Sequence, residues 1–143
     1  MKRVYTVAIV LTLALTTLPL LAQSSSNPAN LPPNFKKVSS IVNLPDWLPG
    51  LGTLYINPAT APIGPYLGYN HNGQLVNVVY MISIKDFNAH KDLNDLGERV
   101  ARMGLKVDHT SVEYNPGHPG MQQPHYHIIE WLITPAQQAR EMK

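Results

Sequence analysis

Histidine is the residue type in this chain whose number and spacing could do chemistry. The six are His71, His90, His109, His118, His125 and His127. His125 and His127 stand two apart in an apolar and aromatic run, His125 to Trp131. In a strand, that spacing puts both imidazoles on one face, about 6–7 Å apart by strand rise. Neutral imidazole is the commonest ligand for zinc, copper or nickel, and two on one face are half of a site. His118, seven residues earlier among prolines and glycines, could fold back as a third ligand. His109, on a strand that could neighbour the last one, is the candidate fourth. The expected metal set is therefore His118, His125, His127 and His109. His71 lies in a turn and His90 just before a helix, so both read as solvated surface groups. The competing reading makes all these histidines partly buried polar groups, satisfied by backbone carbonyls or set at a subunit interface.

Other chemistry is poorly provided for, and no catalytic residue is assigned. The absence of cysteine excludes disulfides, a thiol nucleophile, an iron–sulfur cluster and a bacterial lipid anchor. There is no Gly-x-Ser-x-Gly elbow, and Gly50-Leu51-Gly52 lacks the third glycine and following helix of a dinucleotide fingerprint. Glu113 and Glu130 could pair as acid and base on adjacent strands, but salt-bridging or solvent exposure is the default for strand carboxylates. The run Gly120-x4-His125-x-His127-x2-Glu130 resembles the first metal motif of cupins. The glutamate follows too soon, however, and alternation points it away from the histidines. A second cupin motif has no room after residue 133, so that fold is rejected.

Length and charge narrow the class. The chain has 143 residues, 44% hydrophobic and 14% charged, enough for one domain. Its formal charge of +2 comes from Lys2 and Arg3, so the remainder is neutral. Neutrality argues against a nucleic-acid partner, which requires a basic face. Lys2 and Arg3 followed by an apolar run from Val4 to Ala22 read as a secretory signal cleaved after Ala22. The expected address is the periplasm or the extracellular space, with no stable membrane insertion after cleavage. Residues 23–45, rich in Ser, Asn and Pro, read as a flexible tether, or an arm that orders on a partner.

The elements that must position the histidines lie in residues 46–143, read as a single α+β domain. Eight of the 13 prolines fall between Pro28 and Pro65 and none between Tyr66 and Asn115, so the regular core belongs mainly to that window. Trp47 is expected to pin the incoming chain by burying its indole. Short strands are predicted over Thr53–Ile56 and Ile63–Tyr69, then a hairpin turn at Asn72-Gly73. Leu75–Ile84 reads as the strongest strand. It is apolar on both faces and so must be covered on both, by helices or another subunit. Asp92–Met103 has helical spacing, with Leu93, Leu96, Val100 and Met103 on one side. Strands follow at Leu105–Tyr114 and His125–Ile133, and Pro135 opens a short C-terminal helix. The predicted architecture is α+β, a mostly antiparallel sheet with one main helix packed on it.

The run from Val112 to Gly120 (Val-Glu-Tyr-Asn-Pro-Gly-His-Pro-Gly), followed by Pro124-His125-Tyr126-His127, resembles a small family of exported bacterial proteins of unknown function. Their hallmark is an Asn-Pro…Gly-His…Gly loop leading into a Pro-His-aromatic strand. The matching residues are Asn115, Pro116, Gly117, His118, Gly120, Pro124, His125 and Tyr126, and the likeness extends over about Gly52 to Thr134. One member, from an extreme thermophile and controlled by an extracytoplasmic (sigma-E type) stress sigma factor, is similar in size and layout. It is a ring-like homo-oligomer, a decamer. In many relatives the residue two after the first strand histidine is acidic and another histidine follows two later; here those places hold His127 and Ile129. A ligand set inferred from relatives thus loses one imidazole and gains another. The resemblance implies an exported, homo-oligomeric, envelope-stress-linked protein, and it supplies no catalytic activity.

Three functional classes remain open on these observations. The first is a non-enzymatic homo-oligomer binding a metal ion or small ligand at the histidines. The second is a metal-dependent, hydrolase-like enzyme using the same cluster with Glu130 or Glu113 as general base. The third is a purely structural interaction protein.

Overall fold

The computed structural model describes residues 28–143. The expected signal sequence, residues 1–22, and residues 23–27 of the expected tether lie outside the described residues.

Among the described residues, six strands form one sheet in the order β1-β2-β3-β4-β6-β5, with every neighbouring pair antiparallel. They are β1 (Lys36–Lys37), β2 (Thr53–Ile56), β3 (Tyr66–Tyr69), β4 (Leu75–Ser83), β5 (His109–Asn115) and β6 (His125–Trp131). Three short helices accompany them: α1 (Ile84–Asn88), α2 (Glu98–Arg102) and α3 (Pro135–Glu141). The α+β reading stands.

The main helix does not. Asp92–Met103 yields only the five residues of α2, preceded by turns that contain Gly97 at φ +81°. The longest helix among the described residues is instead α3, where Thr134 and Gln137 form a reciprocal capping box and Pro135 needs no N–H partner. The predicted strand Leu75–Ile84 loses its last residue to α1, because Ser83 turns its hydroxyl to accept from the Asp86 N–H at 2.9 Å. The strand predicted from Leu105 begins at His109.

The central strand β4 is buried on both faces, as its composition required. One face packs Val79 and Met81 with Leu54, Ile56, Ile129 and Trp131. The other packs Val78 and Tyr80 with Phe35, Tyr55, Leu67 and Val100. A bulge between Gly68 and Tyr69 leaves Val76 without a register partner and turns it into the first cluster. At the turn after β3, the Asn70 side-chain oxygen accepts from the N–H groups of Asn72 and Gln74, and its amide reaches Glu141 of α3 at 2.9 Å.

Residues 28–45 are not a free arm in this structure. Phe35 and Val38 are buried, β1 pairs with β2, and a 3-10 turn at Val38–Ser40 lies against the sheet. The Pro-rich composition hid this because two apolar anchors suffice to hold so short a segment. Trp47 does pin it, although only half-buried: its ring stacks on His71 at 3.6 Å and its Nε1–H donates to the Lys143 carbonyl. His71 thus has an indole neighbour while remaining exposed.

Candidate metal centre

Strand β6 alternates strictly, with His125, His127, Ile129 and Trp131 buried on one face. His125 is fully buried and His127 nearly so. Opposite them on β4 stand Ser83 and Met81. The loop from Pro116 to Pro124 brings the third histidine back over this face. The Asn115 side chain accepts from the Gly117 N–H at 2.8 Å, and His118 and Met121 exchange two backbone hydrogen bonds at 3.0 Å. Gly117 lies at φ +130°, where a Cβ would stand 2.4 Å from the Gln122 carbonyl oxygen, so the turn requires glycine.

The result is a cluster of His118, His125 and His127 whose available ligand atoms all lie within 4.8 Å of one another. Ring centroids are 4.9 Å apart for His118–His125, 5.6 Å for His118–His127 and 4.9 Å for His125–His127. His125 Nδ1 is 2.7 Å from the Gln123 carbonyl oxygen, and His118 Nδ1 is 2.8 Å from that of Pro119. A carbonyl only accepts, so both Nδ1 atoms carry the proton and both neutral rings present an Nε2 lone pair. This is the outer support that metal-ligating histidines normally have. His125 Nε2 and His127 Nε2 are 3.0 Å apart. Two imidazole nitrogens on a tetrahedral zinc stand roughly 3.3 Å apart, from Zn–N bonds of about 2.0–2.1 Å.

Electrostatics favour the neutral form of His125 and His127. Burial, and then the neighbouring His125 and His118, push the His127 pKa down to about 4. The His125 pKa is also lowered, chiefly by burial, against a raising contribution from the Gln123 carbonyl. Neutral imidazole is the form that binds metal.

His109 does not join the cluster. It pairs in register with Trp131, at the far end of β6 from His125, stacks on that indole and sits between Asp108 and Gln138. The sequence reading placed it on a neighbouring strand correctly, but antiparallel pairing runs β5 so that Asn115, not His109, faces His125. His90 lies exposed at the end of α1. Glu130 faces the opposite side of the sheet, across from Val78, and Glu113 is exposed across from His127. What sequence reasoning missed is a cavity of about 390 Å³ beside the histidines, with His118 and His127 in its wall. Most of its other walls come from residues scattered between Val38 and Met81, with Asn115, Pro119 and Gly120 beside the histidines, a set no local spacing could have grouped.

No family model matches the sequence, and no curated protein matches it either. Among solved structures, the chain is similar to hypothetical protein TTHB210 from the extreme thermophile Thermus thermophilus. The two share 39% sequence identity and a TM-score of 0.62, over 69% of this chain and 93% of the other. At that identity and coverage the likeness extends beyond shared architecture, and the chain belongs to the family of TTHB210.

Proposed function

We propose that this protein is an exported homo-oligomer that holds one zinc, copper or nickel ion through His118, His125 and His127. The observation that carries the reading is the convergence of three imidazoles, two of them with Nδ1 committed to a backbone carbonyl and Nε2 left for a ligand. Three nitrogens supply all but one place of a tetrahedral site, and the remaining place suits a small ligand. Assembly with copies of itself is supported by Val112 and Tyr114, 63% and 57% exposed on one face of the edge strand β5, beside Tyr126 and the half-exposed Phe87. Export rests on the basic and apolar N-terminal pattern, and among the described residues no helix is long and apolar enough to cross a membrane. The proposed setting is the envelope stress response.

Three histidines with an open position would also serve a hydrolytic metal. That reading lacks a positioned base, because Glu130 faces away and Glu113 lies outside the cluster.

The test is to express the untagged full chain, recover it from the exported fraction, and combine light scattering with elemental analysis on the same peak. One transition-metal ion per chain in a discrete assembly is expected, and His125→Ala should abolish metal retention while His109→Ala leaves it intact. Metal retained by His125→Ala would sink the metal reading, and a metal-loaded monomer would sink the oligomer.

A further inference from the structure

The cavity beside the histidines has an apolar body and a single polar end. Its walls are built by Val38 and Val42 from the N-terminal segment and by Leu54, Ile56, Val79 and Met81 from the sheet. His118 and His127, with Asn115, close the polar end. The Tyr66 hydroxyl, also in the wall, already donates to the Pro62 carbonyl at 2.9 Å. A volume of about 390 Å³ is in the range of small-molecule sites, and such sites combine apolar walls with a few placed polar groups.

Charge decides what that end would take. Three neutral imidazoles leave both positive charges of a divalent ion uncompensated, and among the described residues the cavity wall contains no Asp or Glu. An unpaired charge in apolar surroundings is costly, so an anion at the open position is strongly favoured. The anion cannot come from this wall, and the rest of the cavity rewards a hydrocarbon tail at about 25 cal/mol per Å² buried. From these observations we propose that the site binds a medium-chain carboxylic acid, its carboxylate on the metal and its chain among Val42, Leu54, Val79 and Met81. A cavity of about 390 Å³ is large enough for a chain of medium length, and a ten-carbon acid serves as the probe. This inference rests on the metal reading above and names the ligand of that site.

The probe is decanoate, titrated calorimetrically into the untagged protein after zinc loading, with acetate and decanol as controls. One decanoate per chain is expected, with Kd on the order of 10–100 μM. Decanol, which has the tail without the charge, should bind at least tenfold more weakly, and acetate should give no heat at the same concentration. Val42→Phe, which fills the half-buried wall, should weaken decanoate about tenfold and leave the zinc titration unchanged; Leu44→Phe is a second wall variant in case the first fails to fold. Equal binding of decanol and decanoate would overturn the carboxylate assignment, as would silence toward decanoate in protein that holds zinc. The metal reading survives both of those results. Failure of the zinc titration itself is the separate outcome that overturns the metal reading.

Discussion

His125 Nε2 lies 3.0 Å from His127 Nε2 on the buried face of β6, while His125 Nδ1 donates to the Gln123 carbonyl. His125 therefore presents a lone pair, and in metal-free protein the contact is made by the His127 Nε2–H. For a metal ion to be held by both Nε2 atoms, His127 would carry its single proton on Nδ1 instead, so that both rings stay neutral. Metal and fold are linked through this pair, because the unfolded chain does not hold the two rings in this relation. At zinc 100-fold above Kd, the native state gains about 2.7 kcal/mol. Differential scanning calorimetry should show melting raised by several degrees with zinc and lowered again by chelator. His127→Gln should melt at the same temperature with and without zinc; a variant that still responds would place the ion elsewhere.

The third ligand depends on a turn. Gly117→Ala forces a Cβ into the Gln122 carbonyl at a backbone angle that side chains rarely adopt. A cost of about 1–3 kcal/mol is expected from such strain, together with weaker zinc binding as His118 loses its position. Chemical denaturation and a zinc titration on the same sample would read both. Unchanged zinc affinity would show that the loop does not position His118.

Glu130 gives the pH dependence. One of its carboxylate oxygens is buried without a partner, and burial raises its pKa above the usual carboxylate value. A raised pKa means that the folded state carries a penalty while the group is ionised, relieved as pH falls through the folded pKa toward about 4.5. Glu130→Gln should therefore stabilise the protein at pH 7 by up to about 1 kcal/mol, a figure already reduced for the group's partial exposure. The advantage should shrink on acidification. His125 and His127 act oppositely: their lowered pKa values make the fold lose stability as pH drops below about 6.5. Both proteins share that effect, so urea midpoints compared from pH 7 to 4.5 isolate Glu130. A difference that grows on acidification would contradict the assignment.

Trp47 ties the C-terminus to the turn after β3. Its ring lies on His71 and its Nε1–H reaches the Lys143 carbonyl at 3.1 Å. Trp47→Ala should cost about 2 kcal/mol and raise amide exchange in α3. His71→Ala should cost less, since it removes the stack and keeps the hydrogen bond. If α3 stays equally protected in both variants, the contact does not anchor the C-terminus.

Much of this protein was written locally in its sequence. The alternation of β6 alone placed His125 and His127 on one face, because strand side chains repeat every two residues. Asn72-Gly73 marked its turn, Pro135 its helix start, and the two-sided apolarity of Leu75 onward announced a central strand. Each signal is a property of a few neighbouring residues. Helical spacing misled at Asp92–Met103, where Gly97 at positive φ and packing of the segment over β4 left only five residues helical. The arm misled too, since burial of Phe35 and Val38 depends on a sheet formed twenty to a hundred residues later.

Tertiary structure decided what spacing could not. Antiparallel pairing of β5 with β6 set Asn115, rather than His109, against His125 and sent His109 to Trp131. Folding back of the loop delivered His118, and the cavity took walls from the N-terminal segment, β2, β3 and β4 together. The sequence by itself determined which residues could bind a metal, because that is a matter of side-chain chemistry and strand period. Which of them meet, and what hydrocarbon wall they meet beside, follows from strand order and register, which are global properties of the sheet.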